Sequence, residues 1–591
     1  MQNADGRKGY PFIRSGGINK PAGVRSINDS FQPFHAAIET GRNRLLIAAV
    51  IVSLTFAAIG SKLVEFSLLG DADKITSRNS THVSKNQARS DILDRSGNVL
   101  ATDLTMASLY ADPLNILEPA KAAAAITRIL PDLDTNKVLS LLKRKRRFVW
   151  IKRHLSPRQQ QAIHQLGIPG LDFRREYRRV YPHGSLMAHA LGYVDIDNHG
   201  IAGIEKNFDA RLQRESRPVH LSLDVRVQHK LRTELLTSMT RYQATGAAGL
   251  VLDVTNGEII SMVSLPDFDP NTPSKVMDGQ HFNKASLGVY ELGSAFKILT
   301  SAIALNEGII TFRDGYDTSK PIRISGFTIK DHHGKNRWLS VPEIFIYSSN
   351  IGAGRMALDI GAKTQKLYFG KLGLLEPADT EIPEIGLPII PTNWSRTQAV
   401  TIGFGHGISV SPLQLSAAVA ASVNGGVFFQ PTFIRRSKTN TFDRGSRVFT
   451  EATSSKIRRL LRLSVLDGTG KNAAAEGYIV GGKTGTAEKK TGAGYDKDML
   501  ISSFVGVFPM TKPRYAIFAM LDEPIGTKET FGRATGGWVA APIIKRVVEQ
   551  IAPILGIAPV NEASQQIRRT LAIDEYQLKV EARKLASFKA H

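Results

Sequence analysis

An uncharged, apolar run close to the N-terminus constrains the architecture of this chain more than any other feature. Leu45 to Gly60 reads LLIAAVIVSLTFAAIG and carries no charge. The run is slightly shorter than the ~20 residues that a helix needs to cross a bilayer core. Lys62 can extend its side chain to the interface and lengthen the usable span. We therefore predict a transmembrane anchor over residues 44–66.

The charges around this run predict its orientation. Basic residues outnumber acidic ones in the preceding segment, with Arg7, Lys8, Arg14, Lys20, Arg25, Arg42 and Arg44 against Asp5, Asp29 and Glu39. The positive-inside rule then places residues 1–43 in the cytoplasm and the long remainder across the membrane. A cleaved signal peptide is the alternative. Its apolar run would begin almost at once, whereas this one begins only at Leu45.

Length, cysteine content and charge exclude several classes of protein. A chain of 591 residues is too long for a single core. It contains no cysteine, so neither a disulfide framework nor a cysteine-based metal site is possible. The net charge of +23 indicates either a solvated basic surface or an anionic partner, such as lipid head groups or a wall polymer. Nucleic acid is disfavoured because no nucleic-acid-binding motif is present and the basic residues are spread along the chain.

Composition shifts divide the exported part. Residues 67–88 are polar and are predicted to form a stalk. A first globular domain is expected over 89–222 and a second over 223–556, and the charged tail 557–591 is expected to be a loose helix or disordered. A basic run, Lys143 to Arg147, precedes Phe148-Val149-Trp150. This run is either a solvated helix end or a contact with an anionic surface or a partner.

The second domain is predicted to be α+β. Gly249–Val254 and Glu258–Ser264 are β-rich and are joined at Asn256-Gly257, a strong hairpin signal. Helical patterns follow, and a second β region is then expected over Tyr478–Val480, Ser503–Phe508 and Tyr515–Leu521. A last amphipathic helix is expected from about Trp538 to Ile551. We predict an antiparallel sheet packed by an early and a late helix.

Three short motifs in a fixed order carry the chemistry. They are Ser294-Ala-Phe-Lys297, Ser348-Ser-Asn350 and Lys483-Thr-Gly-Thr486. Each pattern arises readily by chance, as Ser140-Leu-Leu-Lys143 and Lys490-Thr-Gly492 show. The order of the three motifs and their sequence context therefore determine whether they indicate a site. Together they indicate a serine acyl-transfer site in which a lysine replaces histidine as the base.

The first motif supplies a nucleophile and its base. Ser294 is expected at a helix N-terminus, with Lys297 one turn on and on the same face. Lysine accepts a proton only when it is neutral, and burial or a second cation lowers its pKa. Phe296 suggests an apolar setting for Lys297, and Lys483 could be the second cation that lowers its pKa. By contrast, Lys143 belongs to the chance match Ser140-Leu-Leu-Lys143, which we call the decoy motif, and lies among solvated basic residues.

The other motifs supply polar contacts. Ser348 offers a hydroxyl for proton relay, and Asn350 offers an amide for a substrate carbonyl. Lys483 and the hydroxyls of Thr484 and Thr486 suit a carboxylate, and Gly485 would admit substrate backbone at a strand edge. Backbone N–H groups at Ser294 and Thr486 are predicted to form an oxyanion hole.

Rival sites are weak. The sequence contains no Gly-x-Ser-x-Gly elbow, no His-Glu-x-x-His and no P-loop. His332-His333 beside Asp331 is expected to be a polar loop, because adjacent residues rarely converge on one metal ion. His406 lies in a glycine-rich stretch and could either line a cleft or form a turn.

These residues resemble the penicilloyl-serine transferases, and specifically the class B penicillin-binding proteins. The family's N-terminal pedestal motifs are similar to Arg89–Gly97, Arg179–Pro182 and Gly203–Glu205, and Tyr290–Lys297 resembles its nucleophile box. Leu292 and Ala295 depart from the family's usual proline and threonine, but neither position carries a reacting atom. Lys152 to Gly170 is more similar to the division-specific septal enzyme than to the elongation enzyme.

The resemblance implies a single-pass inner-membrane protein with an elongated α+β pedestal and a periplasmic transpeptidase domain that includes an all-helical subdomain. It implies peptidoglycan stem peptides as substrates, β-lactams as inhibitors, membrane lipid around the anchor, and no metal or organic cofactor. A glycosyltransferase and other division-machinery membrane proteins are the implied partners. Ser294 would attack the penultimate D-alanine carbonyl, and an amine on a neighbouring stem would resolve the acyl-enzyme.

Four alternatives to this function arise at the level of sequence. The chain could be an elongation-specific transpeptidase or a D,D-carboxypeptidase of the same superfamily. A β-lactamase is disfavoured by the pedestal and the anchor. A non-catalytic β-lactam sensor or division scaffold is disfavoured because all five reactive positions of the three motifs are intact.

Overall fold

The computed structural model describes most of the exported part of the chain and one helix before it. The described residues are 46–61, 88–436, 445–491, 494–574 and 576. The chain divides into two compact units, residues 1–85 and 86–591.

In the first unit, the described residues form helix α1 (46–61), whose apolar side chains are exposed. Among the described residues, no helix combines the length and hydropathy required to cross a membrane. The predicted anchor 44–66 extends past both ends of α1. The predicted tail 1–43, residues 67–87 of the stalk and residues 577–591 lie outside the described residues.

The second unit begins with a five-stranded sheet, the core of the pedestal. Strand β2 pairs antiparallel with β1, β3 and β4, and β1 pairs in parallel with β5. The strands are β1 (Ile92–Leu93), β2 (Val99–Ala111), β3 (Val149–Leu155), β4 (Leu171–Val180) and β5 (Val219–His220). Their apolar residues pack with helices α2 (Pro119–Ile129), α3 (Thr135–Leu142) and α4 (Pro157–His164). Ser156 and Gln159 form a capping box that starts α4.

A buried network of charges joins the pedestal motifs. Glu205 accepts hydrogen bonds from Arg89 Nη2 at 2.8 Å and from Arg179 Nε at 2.6 Å. Arg179 also pairs with Asp103 at 3.2 Å, and Arg89 with Asp209 at 2.6 Å. Three segments far apart in sequence therefore meet at one carboxylate. Removing a single partner would leave a buried charge uncompensated.

The second globular part is built on an antiparallel sheet in the order β14-β15-β16-β6-β7. The strands are β6 (Gly246–Asp253), β7 (Ile259–Leu265), β14 (Gly481–Thr491), β15 (Gly494–Phe508) and β16 (Tyr515–Asp522). The predicted hairpin at Asn256-Gly257 is confirmed, with Gly257 at φ +76°. The prediction of a strand at Tyr478–Val480 is wrong, since β14 begins only at Gly481. Tyr478 makes one isolated bridge to Ala475 instead.

Helices cover both faces of this sheet. The early helix α8 (Val225–Arg241) and the late helix α17 (Ala541–Ile554) pack on one face, as predicted, around Val251 and Ile517. Because neighbouring strand residues point to opposite sides, Leu250 and Phe518 face a second core, formed with the helices that carry the candidate site.

The predicted all-helical subdomain also contains strands. Three two-stranded ribbons lie among its helices, formed by β8 (Gly315–Asp317) with β11 (Trp338–Ser340), β9 (Ile322–Ile324) with β10 (Phe327–Ile329), and β12 (Val427–Phe429) with β13 (Gly445–Arg447). Strands of three residues are too short to show a clear alternation in sequence.

The remaining helices are α5 (Ala188–Leu191), α6 (Gly203–Asn207), α7 (Asp209–Arg214), α9 (Lys297–Asn306), α10 (Val341–Ile346), α11 (Asn350–Ile360), α12 (Ala362–Lys371), α13 (Arg396–Ile402), α14 (Pro412–Val423), α15 (Glu451–Asp467), α16 (Gly536–Val539) and α18 (Gln565–Leu571). The last of these falls in the predicted tail 557–591, so part of that tail is helical.

Candidate active site

The three sequence motifs converge at one end of the sheet. Ser294 lies in a 3₁₀ turn, Gly293–Phe296, that runs directly into α9. Ser348 lies between α10 and α11. Lys483 lies on β14, which is an edge strand of the sheet. The predicted helix start and the predicted strand edge are therefore both present.

Lys297 lies at the centre of the cluster. Its Nζ is 3.0 Å from Ser294 Oγ, 2.6 Å from the Ser348 carbonyl oxygen, 3.1 Å from Ser348 Oγ and 2.7 Å from Asn350 Oδ1. The carbonyl and amide oxygens can only accept hydrogen bonds. A neutral amine has two N–H groups, and these two oxygens use both of them. The lone pair is then left for a hydroxyl proton.

Burial makes the neutral form of Lys297 accessible. Lys297 is the first residue of α9 and is only 2% exposed. Loss of hydration and the nearby charge of Lys483 lower the pKa of Lys297 well below its usual range, and Asp331 opposes this shift only in part. The sequence argument required such a shift, and the tertiary structure supplies both of its causes.

Ser348 links the two lysines. Its Oγ lies 2.9 Å from Lys483 Nζ as well as 3.1 Å from Lys297 Nζ. Lys483 is fully buried, and burial lowers its pKa to about 7. Its Nζ also donates to Thr484 Oγ1 at 3.3 Å. A proton can therefore move between the lysines through a single hydroxyl.

The Ser348 turn has an unusual backbone conformation, with a positive φ of +57°. The side chains of Ser349 and Asp331 stabilise this turn. Ser349 accepts from Gly352 N at 2.9 Å as the N-cap of α11, and Asp331 accepts from Ser349 Oγ at 2.7 Å and from Ile351 N at 2.9 Å. Sequence reasoning missed this role of Asp331, which lies in a loop distant in sequence from the turn.

The backbone beside Ser294 packs closely on β14. A Cβ added to Gly293, which has φ +54°, would lie 2.5 Å from the Thr486 carbonyl oxygen and 3.4 Å from its nitrogen. The backbones at Ser294 and Thr486, the predicted oxyanion-hole pair, are thus neighbours. A Cβ at Gly485 would lie 2.5 Å from the Leu292 carbonyl oxygen. Packing within the protein therefore already requires glycine at 485, which the sequence argument had assigned to substrate approach.

The two threonines of the third motif share a face of β14, because they are two residues apart. Thr484 Oγ1 lies 2.9 Å from Thr469 Oγ1. Thr486 Oγ1 accepts from Gly536 N at 3.0 Å and is half-buried. Thr469 follows the end of α15 and contributes a second hydroxyl beside Thr484.

A carboxylate three residues before the serine organises neighbouring loops. Glu291 accepts from Gly407 N at 3.0 Å and from Tyr495 OH at 3.0 Å, and it pairs with His406 Nδ1 at 2.9 Å. Burial acts to raise the pKa of Glu291, but the interactions with His406, Gly407 and Tyr495 outweigh it and lower that pKa. His406 therefore lies beside the nucleophile segment rather than in an isolated turn.

The decoy motif lacks these features. Ser140 is exposed on α3 and donates to the Lys137 carbonyl oxygen at 2.7 Å, and Lys143 is exposed. The rings of His332 and His333 lie 4.8 Å apart on the surface. Within the described ranges, no group of three or more potential ligands could hold a metal ion.

Comparison with known proteins defines the class. Residues 247–549 match the penicillin-binding protein transpeptidase domain, and residues 84–225 match the penicillin-binding protein dimerisation domain. A Caulobacter vibrioides protein described as a probable peptidoglycan D,D-transpeptidase, FtsI, is 38% identical over 80% of this chain and 82% of its own. The Escherichia coli K12 peptidoglycan D,D-transpeptidase FtsI is 28% identical over 89% and 94%.

Solved structures share the fold. Penicillin-binding protein 3 of Mycobacterium tuberculosis, crystallised with aztreonam, superposes with a TM-score of 0.63 at 23% identity, covering 80% of this chain and 98% of the other. A peptidoglycan synthetase from Bifidobacterium adolescentis gives a TM-score of 0.64 at 21% identity, covering 82% and 98%. The chain belongs to the class B penicillin-binding proteins, which join a dimerisation domain to a serine transpeptidase domain.

Proposed function

We propose that this protein is a peptidoglycan D,D-transpeptidase of the septal, FtsI type, a target of β-lactams that cross-links stem peptides through an acyl-enzyme on Ser294. One observation carries the proposal. Lys297 Nζ lies within hydrogen-bond reach of Ser294 Oγ while two obligate acceptors occupy its N–H groups. Together with family membership, this arrangement favours catalysis over a vestigial site.

Lys297 acts as the general base. It takes the proton from Ser294 Oγ as that oxygen attacks the carbonyl of the penultimate D-alanine. Ser348 Oγ, in contact with both lysines, relays the proton to the leaving amine of the terminal D-alanine. The backbone N–H groups of Ser294 and Thr486 stabilise the oxyanion.

The remaining groups of the site bind the substrate. The charge of Lys483 and the hydroxyls of Thr484 and Thr486 attract the terminal carboxylate, and Gly485 lies between the two threonines on the same edge strand. Asn350 accepts a hydrogen bond from Lys297 Nζ through Oδ1, and its amide N–H group holds a substrate carbonyl. No step requires a metal or an organic cofactor.

The chain is anchored by one transmembrane helix, with its N-terminus in the cytoplasm and its catalytic domain in the periplasm. Support comes from the charges that flank residues 44–66 and from the exposed apolar side chains of α1. In septal wall synthesis, this topology would bring the site to nascent peptidoglycan beside a glycosyltransferase and other division membrane proteins.

Labelling of the full chain with fluorescent penicillin tests the proposal, with Ser294→Ala as the matched control. We expect a stable covalent label on the wild type and none on the variant. Addition of a D-alanyl-D-alanine stem peptide and an amine acceptor should then yield a cross-linked product. Absence of label on a folded wild type would refute the enzyme assignment, and release of D-alanine without cross-linking would indicate a carboxypeptidase.

A further inference from the structure

The far end of the pedestal sheet carries an exposed surface that the transpeptidase reaction does not use. The register pairs Ala111 of β2 with both Val149 of β3 and Leu171 of β4, so these strand ends lie together. The segment after β2 and the loop before β3 therefore share one end of the sheet. We call residues 143–148 together with Leu114 and Leu117 the pedestal tip.

Apolar side chains of the tip are unusually exposed. Leu117 is 85% exposed, Leu114 is 58% exposed and Phe148 is 40% exposed. The backbone beneath them is well packed, since Asp112 N donates to the Gly170 carbonyl oxygen at 2.7 Å and a Cβ at Gly170 would lie 2.8 Å from the Asp112 carbonyl oxygen. The leucines thus project from a defined loop. Burying them against a partner would be favourable.

Five consecutive cationic side chains directly precede Phe148, at the same end of the sheet as Leu114 and Leu117. Lys143, Arg144, Lys145, Arg146 and Arg147 are all exposed, and none makes an ion pair with a described residue. The neighbouring Lys152, by contrast, is paired with Asp132 at 2.6 Å. An unpaired cluster of this kind attracts an anionic surface within a Debye length.

The aromatic rings beside the run discriminate between partners. Tyr110 stacks on Phe148 with centroids 4.8 Å apart, Phe148 meets Trp150 edge-on at 4.9 Å, and Arg153 covers the Trp150 ring at 5.5 Å. Ring faces are therefore already used within the protein, which disfavours stacking on the sugars of a glycan strand. Exposed leucines and a phenylalanine beside a basic run are instead typical of surfaces that enter the membrane interface.

We propose that the pedestal tip docks on a bilayer surface that contains anionic phospholipids. The leucines and Phe148 enter the head-group region, and the run from Lys143 to Arg147 binds the lipid phosphates. The inference goes beyond the acyl-transfer activity but uses the proposed anchor, which would tether the chain to the bilayer and so raise the effective concentration of the tip for that surface. Docking would restrict the orientation of the pedestal, and of the catalytic domain fused to it, relative to the membrane.

A single spin label tests the contact in the full chain. The sequence contains no cysteine, so Leu117→Cys can carry the only nitroxide, and Leu117 is exposed enough for the change to leave the fold intact. The protein is reconstituted in vesicles of phosphatidylcholine alone or mixed with phosphatidylglycerol. Accessibility of the label is measured to oxygen, which concentrates in the bilayer, and to a water-soluble nickel complex. Leu387→Cys, at a position 71% exposed on the transpeptidase domain, is the control.

In phosphatidylglycerol vesicles, we expect the label at 117 to gain oxygen accessibility and to lose most of its nickel accessibility, while the label at 387 stays in water. Arg144→Glu with Lys145→Glu and Arg146→Glu, or ~1 M salt, should abolish the difference. Penicillin labelling of Ser294 should persist in the charge-reversed variant and so report its folding.

Three results would overturn the docking assignment. The label at 117 could remain nickel-accessible in both vesicles, its protection could survive charge reversal, or protection could arise only when purified peptidoglycan or a division protein is added. Failure of the anchor would be a separate result, since the chain would then not float with phosphatidylcholine vesicles.

Discussion

Lys297 and Lys483 approach the same hydroxyl oxygen, Ser348 Oγ, at 3.1 and 2.9 Å. Two amines that share one hydroxyl in a buried site cannot both hold a proton without mutual repulsion. The pair therefore favours a state with a single positive charge. Burial lowers the pKa of both lysines, and the charge of Lys483 lowers that of Lys297 further, so we assign the neutral form to Lys297 and the single charge to Lys483.

Replacing the base should slow acylation strongly without unfolding the protein. For Lys297→Met, we expect the second-order rate of penicillin acylation to fall by about 10² to 10⁴, the usual contribution of a positioned general base. Stopped-flow labelling measures the rate, and circular dichroism reports the fold. Lys143→Met, in the exposed decoy motif, should acylate at the wild-type rate. Near-normal acylation of Lys297→Met would contradict the assignment of the base.

The buried charge of Lys483 should make stability depend on pH. The pKa of Lys483 is lowered to about 7, so between that pH and the usual lysine range the unfolded chain binds more protons than the native one. The unfolding free energy therefore rises with pH over this interval. Lys483→Met should stabilise the protein by a few kcal/mol at about pH 6, and the gain should shrink towards about pH 10.

Chemical denaturation at the two pH values measures this effect, with exposed Lys143→Met as the control that should show no such dependence. A gain that is equal at both pH values would show that Lys483 titrates normally. The acylation rate of Lys483→Met should fall even though the variant is more stable. Unfolding therefore cannot account for the loss of activity.

Gly405, whose backbone packs against the residue before the nucleophile, should not tolerate a side chain. Gly405 has φ +87°, and a Cβ there would lie 2.0 Å from the Gly293 carbonyl oxygen, next to Ser294. Gly405→Ala should cost about 3 kcal/mol of stability and slow acylation by about tenfold or more, because the clash shifts the nucleophile turn. Gly361→Ala is the matched control, with φ +78° and nothing within 4 Å of an added Cβ.

The control should cost about 1 to 2 kcal/mol, from backbone strain alone, and leave the acylation rate unchanged. Denaturation midpoints and acylation rates of the two variants test whether the clash at Gly405 adds to the backbone strain. Equal losses of stability and equal rates would mean that backbone strain alone accounts for Gly405.

Neutralising the central carboxylate of the pedestal should destabilise that domain. Glu205 is buried between Arg89 and Arg179, and Glu205→Gln leaves their charges poorly compensated, at a cost of about 3 to 5 kcal/mol. Glu118→Gln, which breaks an exposed pair with Lys121, should have no measurable effect. Hydrogen exchange in β2 and β4 would locate the loss, and a uniform loss across both domains would contradict a pedestal origin.

Local sequence determined which residues could react and on which elements they lie. The helix start at Ser294 and the hairpin at Asn256-Gly257 follow from patterns within a few residues, whereas the local pattern before Lys483 places its strand too early in the chain. The spacing of Ser294 and Lys297 by one helical turn also follows, because helix geometry relates side chains three residues apart.

Tertiary structure decided what those residues can do. The neutral state of Lys297 depends on burial and on Lys483, which lies far away in sequence, and the turn at Ser348 depends on Asp331 from a separate loop. Gly485 is required by the Leu292 carbonyl oxygen rather than by a substrate alone. The membrane anchor stays a prediction of sequence. Hydration, charge proximity and close packing are long-range properties, so one-dimensional patterns named the reacting groups while only the folded chain determined their pKa values and positions.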